Sequence, residues 1–298
     1  MKKVLVLLST YNGEKYVEAQ IKSVLEQKNI RVALLIRDDG STDNSANIIN
    51  AIKDDRIALI KDNNIGAANS FFRLIELAPL DYDFYAFCDQ DDFWESDKLY
   101  SAVEKLERLD ENKPALYYSG QKLADKELNV ISYHNLDTKR SREACFIFNQ
   151  MAGCTAVFNP ALLAQLKRVN VSRFLGHDSW SFKVCAALGG EIVIESHGHI
   201  LYRQHENNVI GLDNSIKGKL FRGRRYFLTT SISMSARQIL ETYKTELSED
   251  WKAFLQTICQ ASQGNVLAKL KLLKTNSIRF NSMALRCIFM AKVILGKI

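Results

Sequence analysis

Three aspartates stand within four residues at Asp89, Asp91 and Asp92, with Gln90 between the first two. In an extended chain, alternation puts Asp89 and Asp91 on one side. Carboxylates so crowded repel one another unless a cation neutralises them. An oxygen donor set selects Mg2+ or Mn2+, ions that favour sites shared with substrate phosphates. A solvated acidic turn is the commoner fate of such a pattern. Here, however, the acids follow the apolar run DFYAFC and precede Phe93 and Trp94, which places them at the end of a buried strand. A second pair, Asp38 and Asp39, ends another apolar run. A carboxylate there can accept from a nucleobase N–H or a ribose hydroxyl. Helix capping competes for this pair, although the neighbouring Ser41, Thr42 and Asp43 can supply a cap instead.

These acids need a frame to hold them. The run VLVLLS at 4–9 is continuously apolar, as in a strand buried on both faces, which points to a parallel sheet. After the loop TYNGEKY, Val17, Ile21, Val24 and Leu25 recur at helical spacing. A strand at 32–37, a helix carrying Ile48, Ile49 and Ile52, a strand at 57–60, a helix over 67–77 and a strand DFYAFCD follow. That alternation predicts an α/β fold with an open, mostly parallel sheet, in which ligands bind beyond the carboxyl ends of the strands. The polar clusters at 9–14, 38–43 and 89–92 all fall at such ends, so three chain-distant clusters converge on one cleft. Downstream, 115–119, 129–133 and 191–195 read as strands and 145–158 as an apolar, β-prone segment. Helices are predicted at 160–168 and 178–188, and the pattern is helical from about 215 onward.

At 298 residues the chain can form one large domain, or one domain plus an appendage. Three prolines and 14 glycines argue against long linkers or low-complexity tracts. The net charge of +6 hides an asymmetry: residues 215–298 carry 15 Lys/Arg against 4 Asp/Glu, and residues 1–214 carry 25 against 30. A basic region beside an acidic body suggests that it faces something anionic. No two of the six cysteines are closer than nine residues, so there is no CxxC motif and they read as buried thiols of a reducing compartment. The apolar run Val4–Leu8 is too short for a signal peptide, and no stretch reaches membrane-spanning length. The expectation is a soluble or surface-bound cytoplasmic protein.

The blocks STYNGEKYVEAQIKSVLEQ, RDDGSTDNS, NNIGAANSF and CDQDDFWESDKL, in that order, resemble family 2 glycosyltransferases of the GT-A fold over about residues 1–210. The resemblance implies an inverting enzyme that moves a sugar from a nucleoside diphosphate donor, with Mg2+ or Mn2+ on the diphosphate. It implies Thr10, Tyr11, Asn12, Glu14 and Asp39 around the base and ribose with Asp38 as helper. It also implies Asp89 at the ribose and metal, and Asp91 at the metal. Inversion by one displacement needs a base for the acceptor hydroxyl, and Asp178 in GHDSW stands where the family keeps its acid; a helix N-cap is the competing role. His205 is the candidate third metal ligand or phosphate partner. Weaker candidates for the diphosphate or sugar are Arg203, Gln90, Trp94 and His177. Gly153, Cys154 and Trp180 are weaker candidates on the acceptor side. The forms DQDDFW, GHDSW and YRQHENNVIG are more specifically similar to bacterial rhamnosyltransferases of cell-surface polysaccharide synthesis, which implies dTDP-L-rhamnose as donor and a saccharide or lipid-linked saccharide as acceptor. The same scaffold with a UDP-hexose or UDP-N-acetylhexosamine is one alternative, and an inactive nucleotide-sugar-binding assembly partner is another.

The organisation expected is a catalytic domain over 1–214, divided near residue 110 into a nucleotide-sugar half and an acceptor half, followed by a basic helical region over 215–298. Lys217, Lys219, Arg222, Arg224 and Arg225 lie among Leu220, Phe221, Tyr226 and Phe227, and MALRCIFMAKVILGKI at 283–298 mixes basic with apolar residues. That mixture fits helices lying on the inner face of the cell membrane. Packing on the body or a homodimer interface are the competing readings. Nucleic acid is not expected, since no matching motif is present.

Overall fold

Along β1 (Lys3–Thr10), Val4, Val6 and Leu8 alternate with Leu5 and Leu7, and both sets are buried. A strand with two apolar faces needs a cover on each side. The structure is a computed structural model, and it describes residues 1–169, 176–205 and 231–298. β1 joins β2 (Arg31–Asp38), β3 (Ile57–Lys61), β4 (Phe84–Cys88), β6 (Ala115–Ser119), β9 (Val157–Phe158) and β10 (Glu191–Glu195) in a seven-stranded sheet ordered β10-β6-β9-β4-β1-β2-β3. β1 is parallel to β2 and β4, β2 to β3, and β6 to β10, while β9 runs antiparallel to β4 and β6. The register sets Thr10 beside Asp38 and Leu8 beside Cys88. The carboxyl ends of β1, β2 and β4 therefore share one edge, as the alternation of elements predicted.

Helices α1 (Val17–Leu25), α2 (Ser45–Ala51) and α4 (Lys98–Leu106) contribute to the core that contains Val4, Val6 and Leu8. On the Leu5 and Leu7 side lie α3 (Ala67–Leu77), α5 (Arg142–Ile147), α6 (Pro160–Leu166) and α7 (His177–Ala187). The same core takes in α8 (Ser231–Tyr243), α9 (Glu249–Ser262), α10 (Val266–Lys274) and α11 (Met283–Ile294) through residues such as Tyr243, Leu255, Leu272 and Phe289. The helical C-terminal region is thus present and packs on the body. The boundary expected at 214/215 and the basic cluster from Lys217 to Arg225 lie outside the described residues.

Two features differ from the sequence expectations. The segment 145–158 was expected to be β-prone, but 142–147 is helix α5, whose N-terminus is capped by Ser141 Oγ accepting from the Ala144 N–H. A 3-10 turn at Gly153–Thr155 follows, and only Val157–Phe158 is strand. The apolar residues of α5 are buried against helices, so apolar content alone did not distinguish the two forms. A second sheet was not foreseen. In it β5 (Phe93–Trp94), β11 (Ile200–Arg203), β7 (Gln121–Ala124) and β8 (Val130–His134) pair in the order β5-β11-β7-β8. β5 and β11 pair in antiparallel fashion, which brings residues just after the aspartate cluster against residues just before His205.

α7 is joined to α8 by a buried amine. Lys183 is 3% exposed, and its Nζ donates to Ser235 Oγ at 2.9 Å. Burial pushes this lysine down to about 8. A drop of that size disfavours its charged form by about 3 kcal/mol, more than the roughly 1 kcal/mol that one hydrogen bond returns. The folded pKa is lowered, so the cost is fully present below about pH 8 and disappears as pH rises toward the unfolded value. Lys183→Met is expected to be more stable than the parent by a few kcal/mol at neutral pH. Chemical denaturation of both proteins across pH 7 to about 10 should show the gap closing upward; a gap independent of pH would refute the assignment.

Candidate active site

The loops after β1 and β2 interlock. Asn12 N donates to Ser41 Oγ at 3.0 Å, and Asn12 Oδ1 accepts from Thr42 N at 2.9 Å. Glu14 Oε2 accepts from Asn44 N at 3.0 Å, while Glu14 N donates to Asp43 Oδ2. Asp38 is buried and accepts from Ser41 N at 2.9 Å. Asp39 is 1% exposed; its oxygens accept from Ile65 N and Gly66 N at 2.9 Å each and from the buried Arg37 guanidinium. Its carboxylate therefore holds the 62–66 segment in place, a role the sequence did not suggest. Gly40 has φ +77, and a Cβ there would come within 2.8 Å of Asn64 N, so this crossing requires glycine. Tyr11 is exposed, whereas Thr10 is buried.

Gln90 stitches the first loop to the aspartate cluster. Its Oε1 accepts from Thr10 Oγ1 at 2.7 Å and Tyr11 N at 2.9 Å, and its Nε2 donates to Tyr11 O at 3.2 Å. A Cβ on Gly13 would fall 2.3 Å from Gln90 Oε1, so the loop is closed down on this amide. The expectation of a diphosphate or sugar contact gives way to a positioning role, because the amide faces the protein's own backbone.

The second sheet delivers the other side of the cluster. Arg203 N donates to Asp92 Oδ1 at 3.2 Å, and Arg203 Nε donates to Asp91 O at 2.9 Å. The guanidinium also donates to Lys126 O and lies 4.7 Å from the Tyr16 ring centroid. Arg203 thus braces the loop from beneath instead of standing open as a phosphate ligand. His205 Nε2 is 2.9 Å from Asp91 Oδ2, and the ring stacks on Tyr16 at 5.0 Å. Burial, then the charges of Asp91 and Asp178, push the Asp89 carboxyl up to about 7. Asp91 and Asp178 thus both act on Asp89. Asp91 and His205 are the pair brought into contact, while among the described residues Asp89 is not gathered with them into one compact group of three ligand atoms.

Behind the cluster the chemistry changes. Oxygens of Asp89 and Asp92 and the thiol of Cys154 lie within 4.8 Å of one another, but Asp92 and Cys154 are buried. Lys98, also buried, sets its Nζ 3.6 Å above the Trp94 ring, and burial pushes it down to about 8. Cys154 accordingly backs the cluster instead of lining an acceptor surface, and Gly153 is buried against His177, where a Cβ would come 2.5 Å from Nε2. His177 stacks on Phe71 at 3.8 Å and meets Phe87 edge-on, and burial pushes it down to about 4. The neutral ring therefore packs between Phe71 and Phe87 at the start of α7. Trp94 and Trp180 are likewise core residues, at 1% and 0% exposure, and cannot stack on a sugar. Asp178 itself lies in the first turn of α7, partly exposed, with Oδ1 accepting from Ser179 N at 2.6 Å.

Comparison with known proteins bears on the family and the fold. Residues 5–166 match the family model described as Glycosyl transferase family 2. The chain is 32% identical over 235 residues to the dTDP-rhamnosyl transferase RfbG of Shigella flexneri, covering 72% of this chain and 77% of that protein. It is 35% identical over 108 residues to the UDP-Glc:alpha-D-GlcNAc-diphosphoundecaprenol beta-1,3-glucosyltransferase WfaP of Escherichia coli, covering 36% of this chain and 42% of that one. Among solved structures, S. aureus TarS 1-349 in complex with UDP-GlcNAc matches with a TM-score of 0.60 at 14% identity, over 99% of this chain and 88% of that one. The mannosyltransferase PcManGT from Pyrobaculum calidifontis, in complex with GDP-Man and Mn2+, matches with a TM-score of 0.52 at 15% identity, over 99% and 86%. The structural matches bear on the fold alone, which is GT-A. With more than half its residues matched by the family model and a relative aligned over most of both lengths, the chain belongs to glycosyl transferase family 2.

Proposed function

We propose that this glycosyltransferase is inverting and metal-dependent, and that it moves L-rhamnose from dTDP-L-rhamnose to a lipid-linked saccharide on the cytoplasmic side of a membrane. The observation that supports the chemistry is the contact of His205 Nε2 with Asp91 Oδ2 at 2.9 Å at the end of the aspartate cluster, a pairing suited to the donor side, with Asp178 in the first turn of α7 taken as the base. The rhamnosyl reading is supported by the similarity to RfbG, and the lipid-linked acceptor by the undecaprenol substrate in the name of WfaP. The WfaP similarity also favours a second reading, a UDP-sugar on the same scaffold.

In this reading Thr10, Tyr11, Asn12, Glu14 and Asp38 surround the base and ribose, and Asp39 shapes the wall behind them. Asp91, Asp89 and His205 would hold Mg2+ or Mn2+, which when bound neutralises charge developing on the departing diphosphate. Asp178 accepts the proton of the acceptor hydroxyl as its oxygen attacks the anomeric carbon. The bond from that carbon to the diphosphate oxygen breaks, its electron pair leaves with the diphosphate, and configuration inverts. His177 and Gly153 fix the height of Asp178 by packing, and the neutral ring adds no competing charge.

Three measurements bear on this reading. Donor hydrolysis across dTDP-rhamnose and UDP-sugars, with Mg2+, Mn2+ or EDTA, should favour dTDP-rhamnose and cease in EDTA. Full activity in EDTA would remove the metal, and a UDP-sugar preference would select the second reading. Asp178→Asn should abolish transfer while donor affinity stays within a few-fold, since the base acts on the acceptor; lost donor binding in a folded variant would contradict the assignment. Gln90→Ala strands the Thr10 hydroxyl and Tyr11 N–H, a cost of about 1–3 kcal/mol. Donor KM should rise roughly tenfold with kcat less affected, and an unchanged KM would show that the stitch does not position the donor.

A further inference from the structure

Residues 251–298 contain eight Lys/Arg and no Asp or Glu. Lys271, Lys274, Arg279, Arg286 and Lys297 are exposed. The same segment carries an uncovered apolar surface. On α11, Phe289 and Val293 enter the core, while Met283, Cys287, Met290 and Ile294 are exposed at positions i, i+4, i+7 and i+11. That spacing makes a stripe along the outward face of the helix. On α10, Val266, Leu267 and Leu270 are exposed, Leu267 at 78%. Lys269 Nζ donates to Ile294 O at 2.9 Å, which bridges α10 to the end of α11, where Ile294 and Leu295 are exposed. Outward helix faces of soluble proteins are normally polar, and contiguous exposed apolar patches mark an interaction surface.

We propose that the outer face of α10 and α11 lies on an anionic lipid bilayer, with its apolar residues in the headgroup–acyl boundary and its lysines and arginines toward lipid phosphates. Charge selects this occupant. A second copy would bring another acid-free basic segment against the first, and the two would repel. An anionic surface supplies the opposite charge together with an apolar layer beneath it. Among the described residues no helix is long and apolar enough to cross a membrane, so the helices lie along the surface. The inference deepens the proposal of a lipid-linked acceptor, but its test is separate, because vesicle binding needs neither donor nor acceptor.

The test is sedimentation of the full chain with vesicles of phosphatidylglycerol and phosphatidylcholine, and with phosphatidylcholine alone. Binding is expected to the anionic vesicles, to weaken at high salt, and to be much lower on neutral ones. Leu267→Glu with Ile294→Glu should weaken it roughly tenfold or more, with melting temperature and donor hydrolysis unchanged because both side chains are exposed. Lys271→Glu with Lys274→Glu should weaken it as well, without touching the apolar stripe. Failure of the parent protein to bind anionic vesicles at low salt overturns the proposal. So does a parent dimer in light scattering that the Leu267/Ile294 variant dissociates, since a second copy would then cover the face.

Discussion

Like charges held in a partly buried site repel more strongly than in water, and four carboxylates meet at one edge of this sheet. Asp89, Asp91 and Asp92 cannot avoid one another on a four-residue turn, and the charge of Asp178 reaches Asp89 from α7. Much of the surrounding structure answers that constraint. The backbone N–H of Arg203 bonds Asp92, its guanidinium holds the carbonyl of Asp91, and His205 reaches the Asp91 carboxylate. Lys98 sets its amine behind the turn, where burial pushes it down to about 8 and the nearby acidic groups partly offset that shift. The short second sheet gains a purpose in this light, since β11 carries Arg203 and leads directly to His205.

The nucleotide side is built on a different principle. There, side chains satisfy the backbone of neighbouring loops so that three strand ends move as one piece. Gln90 ties the β4 end to the β1 loop, Asn12 and Glu14 tie that loop to the one after β2, and Asp39 ties the β2 end to residues 65 and 66. Each bond closes a long sequence separation, so the cleft is preorganised by the fold rather than by local turn preference. The arrangement also explains why several polar residues at the strand ends do not face outward: their polar atoms are engaged in holding the loops.

Continuous apolar strands and the polar residues that end them made the main sheet and its functional edge legible from sequence. Thr10, Asp38 and Cys88 stand where alternation of elements put them, because a parallel sheet allows few other solutions. Less could be read where partner choice decides. β5 and β11 are two and four residues long and exist by pairing, β5 with β11 and β11 with both β5 and β7. The helix α5 turns on one capping serine within an apolar run. Trp94, Trp180 and His177 have ring chemistry suited to sugars, but only tertiary packing reveals that they face inward. Arg203 and Gln90 carry the right atoms for phosphate, yet the Arg203 guanidinium bonds backbone carbonyls and Gln90 bonds the Thr10 hydroxyl and the Tyr11 backbone, partners that no spacing rule would identify.

The basic region connects these two ends of the molecule. α8 to α11 share a core with α7, and Lys183 hydrogen-bonds across to Ser235 from the helix whose first turn holds Asp178. The surface proposed to meet lipid and the carboxylate proposed to meet the acceptor are therefore linked through packed helices, without an intervening linker among residues 231–298. For an acceptor held at a bilayer, such packing would fix the height and angle of the base relative to the headgroups, so that orientation is supplied by the core. The same α11 then meets two demands at once, with Phe289 and Val293 holding it to the body and its opposite stripe remaining apolar for a second partner.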